Sequence, residues 1–308
     1  MRNSWSCALL DTLLDNSVRA YCRWRLAAIL VLWRFICEVG SAMSILYSLR
    51  GLFAFALIVL NTLVFFVPVL LLGLIKLACP MKAVITAANK CLDAMATSWI
   101  EVNNLNQNWL GRVELEVQGD MPVAPKEWYM LIANHQSWVD ILILQRLFNR
   151  RIPFIKFFLK QALIWVPFIG LAWWALDFPF MRRYSAGYLK KYPQQKGKDI
   201  EITRKACEKY RYLPVTIMNF LEGTRFTTEK YQQQQSPYRH LLSPKAGGLA
   251  FALSSMNGQL HQLVDVTIVY PDGCPSMLQY LAGRVKRVQV HVRTLPISDT
   301  LLGDYQHD

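Results

Sequence analysis

The chain has 308 residues, room for one large domain and an accessory segment. Lys and Arg number 34 against 21 Asp and Glu, a net charge of +13, while 53% of residues are hydrophobic and the mean hydropathy is +0.20. Such a balance suits anionic partners, and basic and apolar character together favour a membrane surface over nucleic acid. The seven cysteines are scattered, with no CxxC pair and no metal-like spacing to histidine, which excludes a disulfide-framed scaffold and gives no reason to expect a metal.

Residues 1–42 carry Arg19, Arg23, Arg25 and Arg34 but no usable motif; they read as an N-terminal extension, with Met43 as an alternative start. Residues 43–90 read as a membrane anchor. Within them Leu52 to Ile75 is free of charge, and a bilayer core needs roughly 20 apolar residues in a helix. Lys76, Lys82 and Lys90 follow it and would hold the downstream domain, residues 91–308, in the cytoplasm. The upstream arginines pull the same way, so a hairpin bent near Pro68 is the alternative to a single span.

From about residue 110 the pattern is that of an α/β domain: a mixed, largely parallel sheet flanked by helices. Val113, Leu115 and Val117 alternate with polar residues as in a half-exposed strand. Tyr129 to Ala133 reads as a buried strand, Asp140 to Phe148 as a helix, and Asp199 to Arg211 as a helix with acids first and bases last. Val215 to Leu221 is a second buried strand. The glutamines at 232–235 read as a polar loop, Lys245 to Met256 as a helix and Val264 to Tyr270 as a strand stopping at Pro271. Val288, Val290 and Val292 alternate with polar residues, an expected edge strand. Ligands of such a sheet sit beyond the carboxyl ends of its strands.

Polar clusters fall at those ends. Asn134 to Asp140, NHQSWVD, offers His135 as a base for an alcohol and Asp140 to fix its tautomer. Five residues apart, the two would point about 140° away from each other on a regular helix. They meet only if His135 lies in the loop before the helix, and Ser137-x-x-Asp140 reads as a capping box that starts it. Phe220 to Arg225, FLEGTR, places Gly223 and Thr224 in a turn, Arg225 as a phosphate ligand, and Glu222 to orient Arg225 or a glycerol group. Arg183, or Arg182, in PFMRR and Lys245 before its helix are further basic candidates for the same phosphate. Backbone donors near Gly223 are candidates to face a developing oxyanion. The apolar stretch Ala162 to Phe180 would lie against the bilayer, and Arg150, Arg151, Lys156 and Lys160 would attract its anionic lipids.

Taken together, His135-x4-Asp140, the Phe180-Met181-x-Arg183 pattern, Glu222-Gly223-Thr224-Arg225 and the apolar strand Val266 to Pro271 resemble, in order, the four blocks of the 1-acylglycerol-3-phosphate (lysophospholipid) acyltransferase superfamily. The text between the blocks is similar to its bacterial inner-membrane members. The resemblance implies an acyltransferase with lysophosphatidic acid or another lysophospholipid as acceptor and acyl-CoA or acyl-carrier protein as donor. It further implies a His/Asp dyad without a covalent enzyme intermediate, no metal, no cofactor, and a bacterial inner-membrane location with the catalytic domain facing the cytoplasm. Block two departs from the usual text at Pro179-Phe180, and a closing helix is expected beyond the last strand. The rival class is a membrane-tethered nucleic-acid-binding or regulatory protein, suggested by the charge and by RRIPFIKFFLK, but no RNA-binding sheet, helix-turn-helix or zinc signature supports it.

Overall fold

The computed structural model describes residues 43–181, 198–211, 213–256 and 258–298. The chain divides into two units, Met1–Arg50 and Gly51–Asp308. Of the first, only residues 43–50 are described, and they are helical.

Helix α1 runs Met43–Ala78 without interruption. Pro68 removes one backbone donor but does not break the helix, so the alternative of a hairpin turn there is not what forms. The hairpin is made instead by a turn at 79–81 leading into α2, Lys82–Asn106. Its inner face is held by amides. Asn61 donates to the Trp99 carbonyl at 3.0 Å and to Asn103 Oδ1 at 2.8 Å, and Asn106 donates to the Ala54 carbonyl at 2.8 Å. Further along α1, Gly73 lets the helix approach closely: a Cβ there would lie 2.7 Å from that of Ala175. A π-helical turn, Gln107–Gly111, then delivers the chain to the sheet.

That sheet contains β1 (Glu114–Gly119), β2 (Tyr129–Ala133), β3 (Ile155–Phe157), β6 (Thr216–Phe220), β7 (Gln262–Val269) and β8 (Arg287–Pro296), in the order β1-β8-β7-β2-β6-β3. β2, β3, β6 and β7 are parallel, β8 is antiparallel to β7, and β1 is parallel to β8. A small second sheet pairs β4 (Leu159–Lys160) with β5 (Phe180–Met181). The helices are α3 (Val139–Phe148), α4 (Ile169–Ala175), α5 (Lys198–Cys207), α6 (Thr228–Gln234), α7 (Ala246–Met256) and α8 (Met277–Leu281).

Alternation along β2 divides the core between the sheet's two faces. Tyr129, Leu131 and Ala133 join α3 residues such as Val139, Ile143 and Leu147 in one cluster. Met130 and Ile132 join Cys207, Tyr210 and the α7 residues Ala252, Leu253 and Met256 in the other. A strand covered on both faces has no polar position, which is why β2 reads as an unbroken apolar run.

Several expectations are corrected. β8 is an interior strand rather than an edge, since β1 covers it; its valines at 288, 290 and 292 are buried while Arg287 and His291 are exposed. The glutamines at 232–234 are helical, in α6, not a loop. Lys156 is buried, donating to the Leu176 carbonyl at 2.8 Å and lying over the Tyr210 ring, so it cannot serve as a surface attractant for lipid. Arg150 is exposed but paired with Glu101 at 2.6 Å. The stretch 162–180 is split, with Trp165, Phe168 and Leu171 exposed and Ala175 and Phe178 in the core.

Candidate functional site

The site is built where β2 and β6 end, with Ala133 level with Phe220 and with Val266 of β7, which runs on to Val269. Beyond Ala133 the main chain turns away, but Asn134 keeps the seam to β7 closed. Its amide accepts from Ile268 N at 2.8 Å and donates to Ile268 O at 2.9 Å, replacing one backbone rung.

His135 therefore sits in a loop, and the loop solves the spacing problem. His135 Nδ1 lies 2.9 Å from Asp140 Oδ2. The Asp140 carboxylate is 1% exposed, and its Oδ2 also accepts from the backbone amides of Gln136 at 2.7 Å and Ser137 at 2.9 Å. An oxygen that already accepts from two N–H groups faces the ring as an acceptor, so Nδ1 carries the imidazole proton and Nε2 the lone pair. Nε2 has no hydrogen-bond partner among the described residues. The ring stacks on Phe220 with centroids 3.8 Å apart and planes 12° from parallel, which fixes its tilt.

The capping box expected at Ser137 is only half formed. Asp140 does reach back to the Ser137 amide, but the Ser137 hydroxyl donates to the Pro275 carbonyl at 2.6 Å and accepts from Val139 N at 3.2 Å; the N-cap position falls to Trp138, whose side chain makes no cap bond.

Glu222 occupies a different place from the one expected. It is buried, with Oε1 accepting from the His135 amide and Oε2 from the Leu242 amide, each at 2.8 Å. Both oxygens accept from backbone, so Glu222 ties three loops together, and Arg225 is not one of its hydrogen-bond partners among the described residues. Sequence reasoning missed this role because its partners are main-chain groups of distant segments.

Gly223 has φ +66°, a left-handed conformation that glycine adopts without strain. Its N–H donates to the Phe220 carbonyl, which removes it as an oxyanion donor. Lys245 runs alongside it: a Cβ at position 223 would lie 3.2 Å from Lys245 Cδ. Thr224 Oγ1 accepts from Lys230 Nζ at 2.8 Å, a brace from α6 that the sequence did not announce. Arg225 is exposed and lies 4.9 Å above the Trp138 ring, so the EGTR turn and the NHQSWVD loop meet through this stacked pair. The structure thus gathers His135, Asp140, Glu222, Gly223, Thr224, Arg225 and Lys245 at one end of the sheet. Arg183 and Arg182 lie outside the described residues.

Tyr270, absent from the expected set, donates its hydroxyl to Asp140 Oδ1. The signal available for it was a phenol closing an apolar strand before Pro271, a position where a buried hydroxyl needs a partner. Among the described residues no cluster of three or more His, Cys, Asp or Glu side chains is placed to hold a metal ion.

Residues 114–271, just over half of the chain, match the family model Acyltransferase. The chain belongs to the acyltransferase family. Among curated proteins this acyltransferase is 25% identical over 209 residues to mouse 1-acyl-sn-glycerol-3-phosphate acyltransferase epsilon, covering 60% of this chain and 54% of that one. It is 26% identical over 234 residues to Arabidopsis thaliana 1-acyl-sn-glycerol-3-phosphate acyltransferase 2, covering 69% and 57%. The chain thus spans little more than half the length of these curated relatives. Among solved structures, the 1-acyl-sn-glycerophosphate (LPA) acyltransferase PlsC of Thermotoga maritima superposes with a TM-score of 0.46 at 18% identity, covering 82% of this chain and 87% of that one.

Proposed function

We propose that this acyltransferase moves a fatty acyl group from acyl-CoA or acyl-carrier protein to the free hydroxyl of lysophosphatidic acid, yielding phosphatidic acid and the free thiol. The observation that carries the reading is the 2.9 Å contact of His135 Nδ1 with Asp140, which leaves Nε2 a base with no hydrogen-bond partner among the described residues. Relatives named for action on 1-acylglycerol-3-phosphate support the acceptor.

In this mechanism Nε2 takes the acceptor's hydroxyl proton as the oxygen attacks the thioester carbonyl carbon. Asp140 stabilises the imidazolium so formed, as a carboxylate does in a serine protease, with the lipid hydroxyl in the serine's place. The tetrahedral intermediate then expels sulfur, and the imidazolium returns its proton to the leaving thiolate. His135 carries both proton transfers, and Asp140 holds its ring. Arg225, exposed and stacked on Trp138, and Lys245 beside Gly223 supply positive charge for the acceptor's phosphate.

Anchoring in a membrane, with the catalytic unit on its cytoplasmic side, belongs to the same reading. Helix α1 is long and apolar enough to cross a bilayer, and only 11% of its most apolar window is buried within the protein. A core helix of a soluble protein would be mostly covered. A lysophospholipid leaves the bilayer at a cost of about 0.8 kcal/mol per CH₂, so a site held at the interface spares the enzyme that extraction.

The test is conversion of lysophosphatidic acid and acyl-CoA to phosphatidic acid by the detergent-purified full chain, with products identified by mass spectrometry. His135→Ala should lower the rate by about 10²-fold to 10⁴-fold with the melting transition preserved. Unchanged turnover in that variant removes the base from the mechanism.

A further inference from the structure

The dyad uses one oxygen of Asp140; the other is also occupied. Among the described residues the Tyr270 hydroxyl is the single partner of Oδ1, while Oδ2 holds His135 Nδ1 and the two amides. The terminal torsion of an aspartate is soft and roughly two-fold, so donors on one oxygen alone leave the carboxylate plane free to rock. A phenol on the second oxygen stops that motion. Tyr270 itself is 7% exposed and lies directly after β7, so the rigid sheet sets its position. The segment that follows grips the same loop, with the Cys274 thiol donating to the Gln136 carbonyl at 3.3 Å and the Pro275 carbonyl accepting from Ser137 Oγ.

We propose that Tyr270 is a positioning residue of the His135–Asp140 dyad, whose hydroxyl locks the Asp140 carboxylate in the plane that meets the imidazole and draws charge from it. The role rests on His135 acting as the base, as proposed above. Burial and the neighbouring Asp140 carboxylate push the Tyr270 hydroxyl far above its ordinary pKa, so it remains a donor at every working pH.

The other groups facing the dyad are identified element by element. The turn after β6 brings Glu222, committed to the His135 and Leu242 amides, and Arg225 on Trp138. The segment after β7 brings Cys274, whose thiol burial pushes up, with Asp140 adding to the shift and Arg225 opposing it. From α8 comes Tyr280, bonded to Gln107 Oε1 and pushed up to about 12 by burial. Lys245 lies by Gly223. None of these takes the place of the phenol on Oδ1.

A donor to a carboxylate lowers its basicity and, with it, the support it gives a neighbouring imidazolium. Removing the phenol therefore raises the imidazolium's stability. In Tyr270→Phe the acid limb of the kcat/KM profile should move up by about half to one pH unit, equivalent to about a threefold to tenfold loss at the acid end. KM for both substrates should stay within about twofold, since the phenol acts only through the dyad.

The same shift should appear without turnover, in the titration of the His135 ring followed by NMR of histidine-labelled full chain in detergent micelles, assigned by its absence in His135→Ala. A 3-fluorotyrosine installed at position 270, a stronger donor of nearly the same shape, should move the midpoint down. A merely structural tyrosine would alter stability and leave both midpoints in place. An unmoved His135 midpoint in Tyr270→Phe overturns the proposal; if that chain does not fold, the fluorotyrosine protein decides it alone by the same criterion. Absence of acyl transfer in the wild type would sink the functional reading, while the ring titration would still judge the coupling.

Discussion

The helical hairpin and the α/β body place their polar groups by opposite rules. On α1 the leucines, valines and phenylalanines at 52, 53, 60, 63, 64 and 67 are exposed, and the amides of Asn61, Asn103 and Asn106 lie inside. In the body the valines of β7 and β8 at 264, 266, 288, 290 and 292 are inside, and Arg287, His291 and Arg293 face out. The first arrangement suits a hydrocarbon surround, where helices gain nothing by hiding apolar side chains from lipid and associate instead through close packing and amide hydrogen bonds. The second suits water. At the end of the sheet that carries His135 a third rule holds: the carboxylates of Glu222 and Asp140 are buried, and each of their oxygens is matched to a donor. Paired in this way, buried carboxylates organise loops that have no hydrophobic core of their own.

The sharpest way to break this comparison is at Glu222. Glu222→Ala orphans two amides and should destabilise the body by about 3 kcal/mol or more, with activity falling alongside. Thermal unfolding of the purified variant checks this. Glu222→Gln, which keeps one acceptor, should lie between the two; a fully stable, fully active Glu222→Ala would deny the buried carboxylate its organising role.

A smaller effect is expected at Arg225, which is exposed. Arg225→Ala should raise KM for phosphate-bearing acceptors by about tenfold and leave the melting temperature in place, since exposed cation–π pairs contribute only about 0.5–1 kcal/mol. Steady-state kinetics with acceptors that carry and lack the phosphate separate the contact from a general loss; an equal loss with both would reassign the arginine.

The least effect is expected in the hairpin. Asn61→Leu should cost about 0.6–1.7 kcal/mol, the range of amide bonds between helices in lipid, with little change in turnover in detergent. A loss of several kcal/mol in a lipid-free preparation would mean that the hairpin obeys the body's rule instead.

Much of this organisation is visible in local pattern. Tyr129 to Ala133 announces a buried strand because both faces of β2 are covered, and the abrupt change to Asn134-His135 marks where its cover ends. The pairing of His135 with Asp140 follows from placing the histidine before the helix. What local pattern does not carry is who pairs with whom. Val288, Val290 and Val292 alternate as an edge strand's residues would, and only the return of β1 alongside, more than 160 residues away in sequence by register Glu116–Gln289, makes β8 interior. Glu222 reads as a ligand because its partners are backbone amides, which every residue except proline has. Lys156 reads as a surface charge because its burial depends on the Leu176 carbonyl and the Tyr210 ring, brought in by other segments.

Asn134 has one more consequence. By lending its side chain to Ile268 as a stand-in peptide, it lets the backbone depart toward β6 while the hydrogen-bonded seam with β7 continues. The loop that carries His135 can therefore leave the sheet without unpairing β7 at Ile268. The edge of β7 beside the dyad thus keeps both main-chain groups of Ile268 occupied past the last rung shared with β2.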